Sequence, residues 1–149
     1  MRKVIRRSFL FVAVAFLLIQ LVPVERTNPP VTAEVEASDP VMEALRNACY
    51  DCHSNETRWP WYSRVAPVSW RISQHVRMGR RNLNFSEWQG MSAEDRADAM
   101  EEIWEEVERG SMPLSDYLSM HPEAVLTESQ RETLRRWSLG EEPEFPDWN

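Results

Sequence analysis

Two thiols and an imidazole fall within five residues, Cys49-Tyr50-Asp51-Cys52-His53. The spacing is C-x-x-C-H, at which a polypeptide holds haem c covalently. Residues three apart on a helix face the same way, so both sulfurs can meet one porphyrin edge. Each thiol would add to one vinyl group, and the adjacent imidazole would reach the iron from the same turn. The chain has no other cysteine.

Three other chemistries use the same thiols. A thioredoxin-like pair also reads C-x-x-C, but it follows a strand in a βαβ pattern, and no such pattern appears. A structural zinc site takes about four ligands. The two cysteines with His53, His75 and His121 supply the number, in no familiar zinc spacing. A disulfide between Cys49 and Cys52 leaves the adjacent histidine unexplained.

A thioether opposite a histidine raises the reduction potential of a haem iron. Met112, in Gly110-Ser111-Met112-Pro113, is the candidate. It falls in a turn between predicted helices, whereas Met100 belongs to a core stripe. Pro113 would fix the backbone beside it. His75 is the main rival, followed by His121, Met78 and Met120. Trp59, Trp61 and Trp70 are candidates for the haem wall, with an indole N–H able to reach a propionate. Trp88, Trp104 and Trp137 read as core. Arg58 and Arg64 either pair with propionates through bidentate bonds or are solvated surface residues.

The elements that must position these residues are helical. Asp39 as cap and Pro40 at the first position start a helix that runs through Val41, Leu45 and Ala48 into the thiol motif. Pro67 opens a second, with Val68, Ile72 and Val76 recurring, and Gly79 ends it. Ser92 starts a third, with a stripe of Ala97, Met100, Ile103, Trp104 and Val107, stopped by Gly110. Thr127-Glu128-Ser129-Gln130 is a capping box for the last, with Leu134 and Trp137 inward and its end near Gly140. Asn82-Leu83-Asn84-Phe85 reads as a loop whose Asn side chains cap backbone groups. No alternating β pattern appears, so the fold class is all-α.

Arg2, Lys3, Arg6 and Arg7 precede an apolar run from Phe9 to Val24. This is a basic n-region followed by an h-region. The run is long for a cleaved signal and slightly short of the ~20 apolar residues of a spanning helix. Val31-Thr32-Ala33 and Val35-Glu36-Ala37 fit a small-residue cleavage site loosely. The expectation is an uncleaved signal anchor over 1–24, with a cleaved periplasmic form as the alternative. The basic cluster puts the N-terminus in the cytoplasm and the rest on the extracytoplasmic, periplasmic side. Residues 25–37, rich in Pro, Thr, Val and Glu, read as an extended tether. The domain expected to bind haem follows over 38–140, then an acidic tail over 141–149.

Residues 27–149 hold 12 basic and 23 acidic residues, a net charge of −11. Such a surface does not suit nucleic acid, which demands a basic footprint. It either steers toward a redox partner with a basic docking surface or simply keeps the domain soluble. Lys3 is the only lysine, and nothing functional explains that.

The order of helix, C-x-x-C-H, Pro-bearing loop, helix, Met-Pro turn and closing helix resembles the small class I c-type cytochromes. Ala48–Tyr62, which includes Trp59-Pro60-Trp61-Tyr62, is more particular. With Val65-Ala66-Pro67-Val68-Ser69-Trp70 and Met112-Pro113-Leu114, it resembles a family of membrane-anchored bacterial haem-binding domains. The likeness spans roughly residues 38–139. It implies one haem c, thioether bonds at Cys49 and Cys52, His53 as proximal ligand and Met112 as distal ligand. It also implies that a proline carbonyl downstream accepts the proximal ring's N–H. Pro67 is the candidate and Pro60 the reserve, although Ala66 stands where the pattern has glycine.

The function implied is that of an extracytoplasmic mono-haem cytochrome in one-electron transfer, a carrier rather than an enzyme. Without Met112 on the iron, a gas sensor or peroxidase-like enzyme is the alternative. Without haem, the C-x-x-C pair would leave a thiol–disulfide oxidoreductase.

Overall fold

The computed structural model describes residues 1–141, so the acidic tail lies outside the described residues except for Glu141. Among them there are helices and 3-10 turns and no strand, in agreement with the all-α expectation.

Helix α1 spans Arg2–Ile19 and buries none of its residues. Its cations fill the first two turns. No helix among the described residues is long and apolar enough to cross a membrane.

Residues 25–37 are extended, as expected, but they are not a free spacer. Asn28 donates to the Thr57 carbonyl at 3.0 Å, and Asn55 donates to the Pro30 carbonyl at 2.9 Å. The Ala33 and Val35 amides donate to Ser86 and Phe85 carbonyls at 3.0 and 2.9 Å, and Val35 is buried in the core. The segment is a strap. Its composition looks like a linker because most of the groups that hold it belong to residues 54–86.

Helix α2, Asp39–Ala48, has Ser38 as its N-cap, one residue before the expected Asp39, and Pro40 in its first turn. It buries Val41, Ala44, Leu45 and Ala48, the spacing of one helical face. The helix does not run into the thiol motif. It breaks at Cys49 (φ −120°, ψ −37°), and the short α3, Tyr50–His53, begins anew.

Helix α4, Val68–Asn82, packs on α3 and on the 3-10 turn Trp61–Arg64. It runs through Gly79, which is not its stop; Gly79 is buried inside it. Helix α5, Ala93–Glu108, starts where Ser92 accepts the Asp95 amide. After α6, Ser115–Leu118, helix α7, Glu128–Ser138, carries the full Thr127–Gln130 capping box. Helix α7 packs against both α2 and α5. Leu45, Phe85 and Leu134 are fully buried between these elements. A chain of rings crosses the core: Tyr50 stacks on Phe85 at 5.5 Å, Phe85 on Trp88 at 5.9 Å, and Trp88 meets Trp137 at 5.8 Å. Trp88 and Trp137 are therefore core residues, as expected.

Candidate functional site

A cavity of about 950 Å³ opens between α3, α4, the 3-10 turn Trp61–Arg64 and the segment from Met112 to His121. That is the size of a large cofactor site. Cys52, His53 and Met112 all line it, although 59 residues separate His53 from Met112. Trp61 and Arg58 line it too, as does His75, the rival to Met112.

His53 is positioned from behind. Its Nδ1 lies 3.2 Å from the Leu83 carbonyl, just past the end of α4. An Nδ1–H donated there leaves Nε2 as the free lone pair, the tautomer a metal needs. Burial pushes the imidazole pKa down, opposed by the Leu83 and Gly79 carbonyls. Burial thus favours the neutral ring that ligation requires. Phe85 packs edge-on against it, with centroids 6.5 Å apart.

The thiols differ in setting. Cys52 lines the cavity, while Cys49 packs against the core cluster between the lining residues Ala48 and Asp51. No disulfide joins them. Burial and then the neighbouring Cys52 push Cys49 up to about 12, and burial and then Asp51 push Cys52 up to about 11. Among the described residues, no three or more His, Cys, Asp or Glu cluster as a metal site would require, so the zinc pattern does not assemble.

Met112 follows the end of α5, where Gly110 takes φ 69°. The amides of Ser111 and Met112 both donate to the Glu106 carbonyl, at 3.0 and 3.1 Å. The thioether residue is thus held by backbone bonds on a turn that only glycine closes easily. Its bond to Pro113 is cis.

Three expected residues take other places. The Pro67 carbonyl accepts the Trp70 amide at 3.2 Å, inside the first turn of α4, so it is Leu83 and not Pro67 that holds the proximal ring. Trp59 lines a smaller cavity of about 270 Å³ and donates to Asn28 at 3.1 Å, so it is no wall of the main one. Trp70 does not line the main cavity either.

Sequence reasoning missed a polar rim. Asp51, the third residue of the motif, is only 8% exposed. It accepts the Arg58 amide at 2.9 Å, the Arg58 guanidinium at 3.2 and 3.3 Å and the Tyr117 hydroxyl at 2.8 Å. That carboxylate raises the Arg58 pKa, and burial followed by Asp51 raises that of Tyr117. His121 stacks on Tyr117 at 4.3 Å. Its Nε2 lies 2.6 Å from the Tyr62 hydroxyl and its Nδ1 2.9 Å from Glu123, so neither nitrogen is free for iron.

The residues present fit an iron porphyrin. A thiol, a neutral imidazole and a thioether share one cavity whose remaining wall includes Trp61, Val68, Ile72, Met78 and Leu114. Comparison with known proteins gives an independent result. A family model described as a haem-binding domain matches residues 14–139. No curated protein and no solved structure matches the chain.

Proposed function

The chain belongs to the haem-binding domain family, and from that membership we propose that it is a mono-haem c-type cytochrome acting in one-electron transfer. The observation that carries this reading is the joint presence of Cys52, His53 and Met112 on one cavity. Bound there, haem c would supply a one-electron couple at iron. Cys49 and Cys52 would hold the porphyrin edge through thioether bonds. His53, fixed by Leu83, would be the proximal ligand, and Met112 the distal one. Arg58 and the Tyr117 hydroxyl, both tied to Asp51, would keep polar groups at the cavity rim.

Met112 is favoured over the other donors on the same wall. His121 spends both nitrogens on Tyr62 and Glu123, and the Met78 sulfur lies 3.9 Å from the Gln74 amide nitrogen. His75 and Met120, on the same wall, remain the rivals, and a site held by His75, or one left open, would suit a gas sensor or peroxidase-like enzyme instead. A thiol–disulfide oxidoreductase is disfavoured, since such enzymes lower a thiol pKa and these two are raised.

We further propose that the apolar run from Phe9 to Val24 attaches the domain to the extracytoplasmic face of the cytoplasmic membrane. The side chains of Phe9, Leu10, Phe11, Leu17, Leu18 and Leu21 are exposed and have no core to enter. The redox partner would then meet the acidic surface of residues 27–149.

The test is an optical spectrum of the chain matured with haem, before and after dithionite, with acid–acetone extraction. A sharp reduced α band, a haem that resists extraction, and a weak far-red thioether-to-iron band when oxidised are expected. A covalent but high-spin haem that binds CO readily would shift the reading to sensor or enzyme. No covalent haem would end it.

A further inference from the structure

We propose that the outer face of α4 and the turn before it, carrying Arg64, Trp70, Arg77 and Arg81, rests on anionic phospholipid headgroups. The inference builds on the proposed membrane attachment through the apolar N-terminal run.

Its first support is a clasp. Gln20 directly follows α1. Its Oε1 accepts the Ala66 amide at 2.8 Å, and its Nε2 donates to the Ala66 carbonyl at 3.2 Å. One side chain thus binds both backbone groups of one residue, with no slack between apolar helix and domain. Arg26 donating to the Ser63 carbonyl at 3.2 Å, and Ser73 to the Glu25 carbonyl at 2.9 Å, continue the seam. Wherever the end of α1 lies, the surface around Ala66 lies at the same level. For an apolar helix seated in a bilayer, that level is the headgroup region.

Charge is the second support. From Thr57 to Ser86 there is no acidic residue and there are six arginines. That is half of the arginines in residues 27–149, whose other six share the remainder with all 23 acids. Arg58 and Arg71 of this segment lie on the cavity side and pair with Asp51 and Asp116, so the positive charge of the outer face rests on Arg64, Arg77 and Arg81. Positions 70, 77 and 81 recur along one stripe of α4. Trp70 is 38% exposed there and takes no part in the haem cavity.

The local ion pairs do not cancel this charge. Arg71 pairs with Asp116 at 2.8 Å, and Arg80 is turned inward onto Ser54, Thr27, Asn28 and Thr57 oxygens. Glu25 and Glu87 border the shallow pocket beside Arg77 and Arg81. Arg64, Arg77 and Arg81 are exposed, three cations against those two acids. An exposed Trp beside an apolar helix end is typical of a membrane interface, and cations clustered next to it attract anionic headgroups.

The experiment uses the full, haem-loaded chain in lipid nanodiscs, either zwitterionic or containing anionic phosphatidylglycerol. Flotation with lipid is scored first. Hydroxyl-radical labelling of Trp70 is then read by mass spectrometry, with Leu139, just past the end of α7, as reference. The expected result is a several-fold fall in Trp70 labelling on adding anionic lipid, with Leu139 unchanged. High salt and the double variant R77E/R81E should each abolish the fall while the chain still floats. Equal Trp70 labelling in both lipids, with flotation intact, would overturn the proposal and leave the attachment standing, with the face free for an acidic protein. A chain that does not float with either lipid would overturn both.

Discussion

Gly79 lies against the backbone of Cys52: a Cβ at position 79 would fall 2.4 Å from the Cys52 carbonyl oxygen. This contact sets how closely α4 approaches the turn that carries the thiol and the imidazole. Gly79→Ala should gain about 1 kcal/mol of helix propensity. It should lose more, since backbone must move to admit the methyl, and overpacking costs about 1–3 kcal/mol. The expected net result is destabilisation, with less covalent haem per chain. Gly90→Ala is the control, because a Cβ there meets nothing within 4 Å. Thermal melts and haem content of both variants check this; a Gly79→Ala protein as stable as Gly90→Ala would contradict it.

The carboxylate of Asp51 organises the rim. Asp51→Ala would leave the Tyr117 hydroxyl without its acceptor and release Arg58 to solvent. A lost hydrogen bond at such a site costs about 1–3 kcal/mol. Tyr117→Phe should cost about 1 kcal/mol alone and almost nothing in the Asp51→Ala background. A denaturant-melt double-mutant cycle gives the coupling; additive losses would show that the 2.8 Å contact carries no energy.

What could be read from the sequence here is what is local. The C-x-x-C-H spacing and the caps at Ser92 and Thr127 are each encoded within a few residues, and both caps are found where expected. Met112 could be picked out because the Gly and Pro beside it mark a turn. The second contact to His53 could not, since it comes from a backbone carbonyl at Leu83, and carbonyls have no residue signature. Gly79 has two uses, helix stop and close approach, and only the packing of α4 on Cys52 separates them. The strap looked like a tether because its bonds go to residues far along the chain. Asp51 and Tyr117 looked unremarkable, and His121 stood out only as a rival ligand, because their roles arise from one another.

The thiol pKa values predict a pH profile. In the haem-free chain Cys52 is pushed up to about 11 and Cys49 to about 12, from an ordinary 9.0. Only the thiolate reacts. Alkylation by iodoacetamide should be slow at neutral pH and rise about tenfold per pH unit toward 11. Cys52, on the cavity wall, should label before Cys49. The sign for stability follows: burying neutral thiols stabilises the fold below pH 9.0, and that stability is lost as pH rises through about 11 to 12. Rapid labelling at neutral pH would instead favour redox-active thiols.

Replacing the distal donor separates Met112 from His75. Met112→Ala should abolish the far-red thioether band, open the iron to CO and lower the potential by on the order of 0.1–0.3 V, within the ~0.8 V span of axial ligands. His75→Ala should leave all three unchanged. The reverse pattern would move the sixth ligand to α4.

Arg80 joins the strap to the haem-motif loop. Its guanidinium donates to the Ser54 carbonyl at 2.7 Å and Thr57 Oγ1 at 2.9 Å on one side, and to the Thr27 carbonyl at 2.9 Å and Asn28 Oδ1 at 3.1 Å on the other. Four oxygens from two segments converge on one planar cation, a geometry that lysine cannot reproduce. Hydrogen bonds to a charged group are worth about 1.5–3 kcal/mol each, and bonds that share one donor group do not add. Arg80→Lys should therefore cost about 2 kcal/mol and free residues 25–30 from the domain. Limited proteolysis reads the second effect: cleavage within the strap should accelerate well beyond the change in global unfolding. If strap cleavage instead tracks global stability alone, the strap is held by its backbone bonds to Phe85 and Ser86 rather than by Arg80.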